Sequence, residues 1–261
     1  MLEIKDLTIQ YGDKPPVVEN FSLSLKKGEI ITIVGESGSG KSTVLSSILG
    51  LLPNGGKIIS GDIIYNGESM LSKSLNQWRE LRGTEITMIS QDSGGTLNPI
   101  RKIGKQFVEY IQTHSKMSAK EAEEKAKDMF SKVNLPDPEI IMKSYPHQLS
   151  GGMKQRVGIA MALTFHPKII LADEPTSALD VITQAQIVKE IMDLRKKFDT
   201  SIIMVTHNLG VAAYISDKII VMQNGKIVDA GNKNEVIENP KSEYTKKLLA
   251  AVPEIGGERL V

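Results

Sequence analysis

Gly35-Glu36-Ser37-Gly38-Ser39-Gly40-Lys41-Ser42-Thr43 is the stretch on which the reading of this chain turns. It has the form G-x-x-x-x-G-K-S, and its flanks suit it. Before it, Ile30-Ile31-Thr32-Ile33-Val34 is short, apolar and β-branched, the composition of a buried strand. After it, Val44, Leu45, Ile48, Leu49 and Leu52 recur at helical spacing until Gly50 and Pro53 break the pattern. Strand, glycine loop and helix together predict a phosphate cradle. Glycines let successive N–H groups turn toward anionic oxygens, and the positive end of the helix faces the same charge. In that arrangement Lys41 brings a point charge to the outer phosphates of a nucleotide, and Ser42 a hydroxyl to Mg²⁺.

A second element completes the chemistry. Ile169-Ile170-Leu171-Ala172-Asp173-Glu174 is an apolar strand ending in two carboxylates. Ligands of open α/β sheets sit at the carboxyl ends of strands, where both acids emerge. Asp173 suits the shell of Mg²⁺, a cation that keeps several of its waters. Glu174 suits the base that polarises a water for attack on the γ-phosphorus.

Composition narrows the classes. The chain has 261 residues, enough for one large α/β domain with an inserted lobe. Its 32 basic and 31 acidic residues balance, which argues against general affinity for nucleic acid or anionic membranes. It has no cysteine, which excludes disulfides, zinc ribbons and cysteine-ligated iron–sulfur clusters. Met1-Leu2-Glu3-Ile4-Lys5-Asp6 has no apolar signal region, and runs such as Ile202-Ile203-Met204-Val205 fall short of the ~18 residues of a membrane-spanning helix. A soluble protein is expected, held at any membrane by other subunits.

Along the chain, the first ~65 residues read as β structure. Phe21, Leu23 and Leu25 alternate with serines, and Asn66-Gly67 reads as a tight turn. The stretch 100–165 is helical; Ser118-Ala119-Lys120-Glu121 forms a capping box, followed by an apolar face of Ala122, Ala126, Met129, Phe130 and Val133. The charge run from Lys120 to Lys125 reads as a solvated face with i,i+4 pairs. Strands return at 168–172, 201–206 and 218–223, with a long amphipathic helix carrying Ile187, Ile191, Leu194 and Phe198. This alternation predicts a parallel sheet covered by helices. Three histidines, His114, His147 and His166, have no partner spacing and read as packing or surface residues, and Met88, Met161, Met192, Met204 and Met222 as core filler.

Leu149-Ser150-Gly151-Gly152-Met153-Lys154-Gln155-Arg156 resembles the signature of ATP-binding cassette (ABC) ATPases, just upstream of the Asp-Glu strand as in that family. Four further matches follow the family's order. Tyr11 matches the aromatic that stacks on adenine, and Gln91 the glutamine that joins core to helical lobe and reaches the metal. Ser177-Ala178-Leu179-Asp180 matches the loop after the catalytic glutamate, and His207 the histidine that reaches the γ-phosphate. The resemblance implies the ABC ATPase fold: a P-loop NTPase core, an N-terminal antiparallel β subdomain and an inserted helical lobe. In this chain that means one nucleotide-binding domain over 1–261, with core 1–92 and 166–230, lobe 93–165 and tail 231–261. It also implies a head-to-tail pair of cassettes. Each ATP is then clamped between one subunit's phosphate loop and the Ser150, Gly151 and Gly152 of the other. Read from the residues alone, those three open a helix and form a second anion-binding half-site.

Softer matches resemble the branch that imports oligopeptides, dipeptides or nickel. They are Thr96-Leu97-Asn98-Pro99, Tyr145-Pro146-His147-Gln148 running into the signature, and Asn239-Pro240, Tyr244-Thr245 and 248–253 near the end. That branch implies two permease subunits, a second ATPase that is a copy or a relative, an extracytoplasmic solute-binding protein, and a peripheral place on the cytoplasmic face of the membrane. A nickel or metallophore importer is the alternative. Soluble cassette proteins acting on DNA or ribosomes carry two cassettes or long coiled coils, and neither heptads nor a basic patch are present here. Exporter cassettes are commonly fused to spanning helices. Two departures stand out: Ser93-Gly94-Gly95 where a proline is expected after Asp92, and Asn208 where an acid usually follows the histidine.

Overall fold

The computed structural model describes residues 1–177 and 179–252, with the backbone of the short strands Glu254–Ile255 and Glu258–Arg259 beyond them. Ala178 and Pro253, each part of a motif quoted above, lie outside the described residues. In chain order the first elements are β1 (Leu2–Tyr11), β2 (Val18–Leu25), β3 (Ile30–Val34), α1 (Lys41–Ile48), β4 (Gly56–Tyr65), β5 (Glu68–Ser69) and α2 (Leu75–Leu81). Then come β6 (Ile86–Ile89), α3 (Ser93–Thr96), α4 (Ile103–His114), α5 (Ala119–Lys132), α6 (Pro138–Lys143), α7 (Gly151–Leu163), β7 (Ile169–Asp173) and α8 (Val181–Phe198). The last are β8 (Ser201–Thr206), α9 (Leu209–Ile215), β9 (Lys218–Gln223), β10 (Lys226–Asn232), α10 (Lys233–Glu238) and α11 (Glu243–Ala250). The chain divides into two compact units, one of Met1–Trp78 with Ser201–Val261, the other of Arg79–Thr200.

In the first unit, β2, β1, β4 and β5 form an antiparallel sheet in that order. The serine alternation of β2 puts Phe21, Leu23 and Leu25 inside, as a half-buried strand requires. Asn66 and Gly67 both take positive φ, +51° and +87°, and close the β4–β5 hairpin. The strand β3 differs: all five of its residues are buried, the pattern of a strand covered on both faces. It runs parallel to β8 on one side and β9 on the other. β10 then pairs antiparallel with β9, so the sheet expected to be parallel is mixed. Asn224 and Gly225, at φ +49° and +79°, make the turn that lets the last strand reverse.

In the second unit β6 and β7 are parallel neighbours. The helical stretch follows its apolar periodicity. Ala122, Ala126, Met129 and Phe130 of α5 are buried, and Phe130 meets Phe107 of α4 at 5.2 Å between ring centres. The capping box at Ser118 and Glu121 is present in both directions. The charge run pairs differently from its sequence reading. Glu121 is used in the cap, Lys125 lies over the Phe165 ring at 4.8 Å, and the i,i+4 bridge is Glu123 to Lys127 at 3.0 Å. Arg156 of α7 grips Glu190 of α8 through two bonds of 3.1 and 2.8 Å. His114 packs against Tyr110 and Phe165, and burial lowers its pKa. His166 packs on Phe198, with its pKa lowered mainly by the same desolvation. Among the five methionines only Met204 and Met222 are core; Met88, Met161 and Met192 are half-buried. Among the described residues no helix is long and apolar enough to cross a membrane.

Candidate nucleotide site

The first unit carries the glycine-rich loop, expected to cradle phosphate, between the buried β3 and the helix α1. Gly40 sits at φ +97° as the N-cap of α1, a conformation that favours glycine. Gly35 is held by crowding: a Cβ there would lie 2.2 Å from the Met222 carbonyl oxygen. Lys41, only 4% exposed, folds back over the loop. Its ammonium donates to the carbonyls of Gly35 at 2.8 Å and Glu36 at 2.6 Å, with the Ser39 hydroxyl at 3.4 Å. These acceptors keep a buried charge satisfied and aim it across the cradle. Glu36, Ser37, Gly38 and Ser42 are exposed, Thr43 is half-buried, and Ser39 is buried with its carbonyl accepting from Gly225 N–H at 3.2 Å. The register Val34↔Thr206 brings the end of β8 beside the start of the loop, so exposed His207 leaves the sheet at the same edge as Gly35. Tyr11 ends β1 opposite Gly56, where a Cβ would lie 2.6 Å from the Tyr11 ring; one part of that ring is thus used in packing.

In the second unit the register Ile89↔Ala172 does the same for a different set. Exposed Gln91 and half-buried Asp173 and Glu174 leave neighbouring ends of β6 and β7. Glu174 takes φ +43°, and its carbonyl accepts from the Ser177 N–H and hydroxyl, both at 3.2 Å. Ser150 is the N-cap of α7, its hydroxyl accepting from Met153 N–H at 3.3 Å. A cavity of about 100 Å³ is lined by Gln91, Asp92, Gly151, Lys154, Gln155, Pro175 and others, joining the Gln91 segment to the signature.

Several residues in these segments have structural duties that their motifs did not announce. Asn208, the first departure to be explained, caps α9 by accepting from Gly210 and Val211 N–H at 2.9 and 3.2 Å. Ser93 is buried and crowds Gly158 of α7, while Gly94 leaves room for the Lys154 stem, so the second departure is a close packing of α3 on α7. Asn98 is bracketed by Gln106, which accepts from its N–H at 2.8 Å and donates to its carbonyl at 3.1 Å. Tyr244, quoted above only as part of a branch motif, receives the Glu36 N–H at 3.0 Å.

A glycine cradle on a strand-to-helix turn, an Asp-Glu strand end and a serine-glycine helix start define a nucleotide-hydrolysing cassette. The ABC transporter family model matches residues 18–177, and the chain belongs to that family. It is an ATP-hydrolysing subunit of an ABC transporter. The oligopeptide transport ATP-binding protein OppD of Bacillus subtilis is 44% identical over 97% of this chain and 72% of its own length. The metal-staphylopine import system ATP-binding protein CntD of Staphylococcus aureus is 41% identical over 98% of this chain and 94% of its own. Among solved structures, a dimeric post-hydrolysis state of the ATP-binding cassette MJ0796 bound to ADP and Pi superposes with TM-score 0.77. It is 29% identical and covers 89% of this chain and 99% of that one. The mixed sheet, the antiparallel sheet and the helical stretch are those of an ABC ATPase.

Proposed function

We propose that this ATPase drives uptake of oligopeptides or dipeptides. In this reading it docks at the cytoplasmic face of the membrane on two permease subunits that receive solute from an extracytoplasmic binding protein. The observation that carries it is identity of 42–44% over nearly the whole chain with relatives named for oligopeptide and dipeptide transport. A metal-chelate importer is the second reading, supported by the 41% identity with CntD over 258 residues.

The chemistry assigned to each residue follows from its type and place. The loop 35–43 wraps the phosphates with N–H groups, and Lys41 brings its charge to the outer phosphate oxygens. Ser42, Gln91 and Asp173 offer a hydroxyl, an amide and a carboxylate, a hard-oxygen set that fits Mg²⁺. When bound, Mg²⁺ neutralises charge developing on the phosphates. Glu174 takes the proton of the attacking water as the bond from γ-phosphorus to ADP breaks, and His207 donates to the γ-phosphate oxygen. Gln91 orients that water and Tyr11 stacks on adenine. Ser150, Gly151 and Gly152 serve the ATP of a second cassette, a copy or a relative. Residues 1–92 and 166–230 act as the catalytic core, 93–165 as the lobe and 231–261 as the tail.

The test is uptake of a radiolabelled tripeptide by cells carrying either the parent chain or Glu174→Gln in place of the chromosomal gene. Uptake with the parent and none with the variant supports the peptide reading. Unchanged peptide uptake with lost nickel-chelate uptake would transfer the assignment to the metal reading.

A further inference from the structure

We propose that Tyr244 is a positioning residue for the phosphate loop, with its hydroxyl fixing the first peptide unit of the loop from a helix near the other end of the chain. The inference rests on the reading of 35–43 as the phosphate cradle. The peptide unit joining Gly35 to Glu36 has two polar ends that point in opposite directions, because the bond is trans. Its N–H donates to the Tyr244 hydroxyl at 3.0 Å. Its carbonyl accepts from the Lys41 ammonium at 2.8 Å. The two contacts thus hold opposite edges of one plane. Gly35 leaves the backbone more conformational freedom on that side than any other residue would, so the orientation of the plane has to be set by such contacts. If it turned, the Gly35 carbonyl would leave Lys41 and the ammonium would lose one of the acceptors that aim it.

The placement of Tyr244 is itself well determined. Asp229 of β10 accepts from Lys241 N–H at 2.8 Å and Ser242 N–H at 3.3 Å, which ties the start of α11 to the sheet. Ser242 caps the helix by accepting from Tyr244 N–H at 3.1 Å and Thr245 N–H at 3.2 Å. The Tyr244 ring, 9% exposed, joins a core that contains Val236, Leu249 and Val34. Val34 is the last residue of β3, immediately before Gly35. One helix therefore packs on the strand that ends at the loop and bonds the first peptide of the loop. Burial raises the phenol above its ordinary range. No motif for nucleotide binding includes this residue, yet it reaches the loop from 208 positions away.

The experiment is calorimetric titration of the full purified chain with MgATP, comparing the parent with Tyr244→Phe, Thr245→Val and Lys41→Ala. Tyr244→Phe keeps the ring in its core and removes only the hydroxyl. Its dissociation constant for MgATP should rise about three- to ten-fold, the worth of one neutral hydrogen bond, with the binding stoichiometry unchanged. A role confined to folding would instead lower the stoichiometry and leave the constant alone. Thr245→Val is the neighbouring control: the Thr245 hydroxyl is buried with no partner, so its loss should leave affinity at the parental value. Parental affinity in Tyr244→Phe, or an equal weakening in Thr245→Val, overturns the inference while Lys41→Ala still loses binding. Full affinity in Lys41→Ala would instead remove the phosphate-loop reading beneath it.

Discussion

Glu174 stands in a left-handed backbone conformation, φ +43°, immediately after β7. A non-glycine residue held there costs of order 1–3 kcal/mol, and such positions concentrate at functional sites. Here the turn that follows, with Ser177 donating twice to the Glu174 carbonyl, stabilises it. Glu174→Gln keeps shape and strain and removes only the basicity. Its turnover should fall ~10²–10⁴-fold while MgATP affinity holds, as read by phosphate release and by titration; near-parental turnover would show that another group is the base. Gly35→Ala belongs to the same scale. Its methyl would meet the Met222 carbonyl oxygen at 2.2 Å, so the loop must shift, and MgATP binding should be lost in the same titration. Parental affinity in that variant would mean that the loop can yield without penalty. The type of each of these residues was legible in sequence because the chemistry demands it. What was not legible was double employment, such as Asn208 as a helix cap and Tyr11 as cover for Gly56. A side chain's second partner lies far away in sequence, and no local pattern encodes it.

At the scale of elements, periodicity was a good guide where one face is buried. The cap at Ser118 set the start of α5 and β8 spans the expected 201–206, while β2 and α8 begin three and six residues ahead of the first residue of their apolar patterns. β6, β10 and α2 carried no decisive pattern: β6 has four residues and α2 a single buried side chain, Trp78. Helix ends were more legible when a capping side chain lies three residues from its target. Ser118→Ala should cost about 1 kcal/mol by removing the α5 cap, measured by denaturant midpoint at an unchanged slope. Asp180 gives a pH signature. The Thr183 N–H and hydroxyl, bonded at 3.0 and 2.7 Å, hold its carboxyl below the usual carboxylate range. A depressed folded pKa stabilises above the unfolded value and is lost as pH falls through the folded one. The melting temperature of Asp180→Ala should therefore lie below the parent at neutral pH, with the gap closing under acid. A gap that stays constant down to strongly acidic pH would show that the carboxylate does not hold the cap.

For the whole molecule, the decisive property is whether one chain suffices. Ser150, Gly151 and Gly152 open α7, and in the proposed reading they serve the ATP of a second cassette while the loop 35–43 holds the chain's own. The two sets are read as halves of different ATP sites. Gly152 is a poor probe of this, because a Cβ there would press on the Thr183 methyl at 3.0 Å. Gly151 is better. Its Cβ would meet only Leu179 at 3.5 Å, an ordinary contact, and an acidic residue in the first turn of a helix favours the helix dipole. Gly151→Asp should fold with parental stability and bind MgATP through its own intact loop. It should nevertheless lose turnover, because in the proposed pair a carboxylate would face the triphosphate held by the partner. Mixing it with Lys41→Ala then separates the possibilities. In a pair of identical chains one mixed site carries both defects and the other is made of two intact halves, so partial turnover returns. In a natural pair of different chains the parent alone is nearly inactive, and mixing restores nothing until the second ATPase is added. An unmixed Gly151→Asp that turns over ATP at the parental rate, independent of protein concentration, would show that each chain hydrolyses alone.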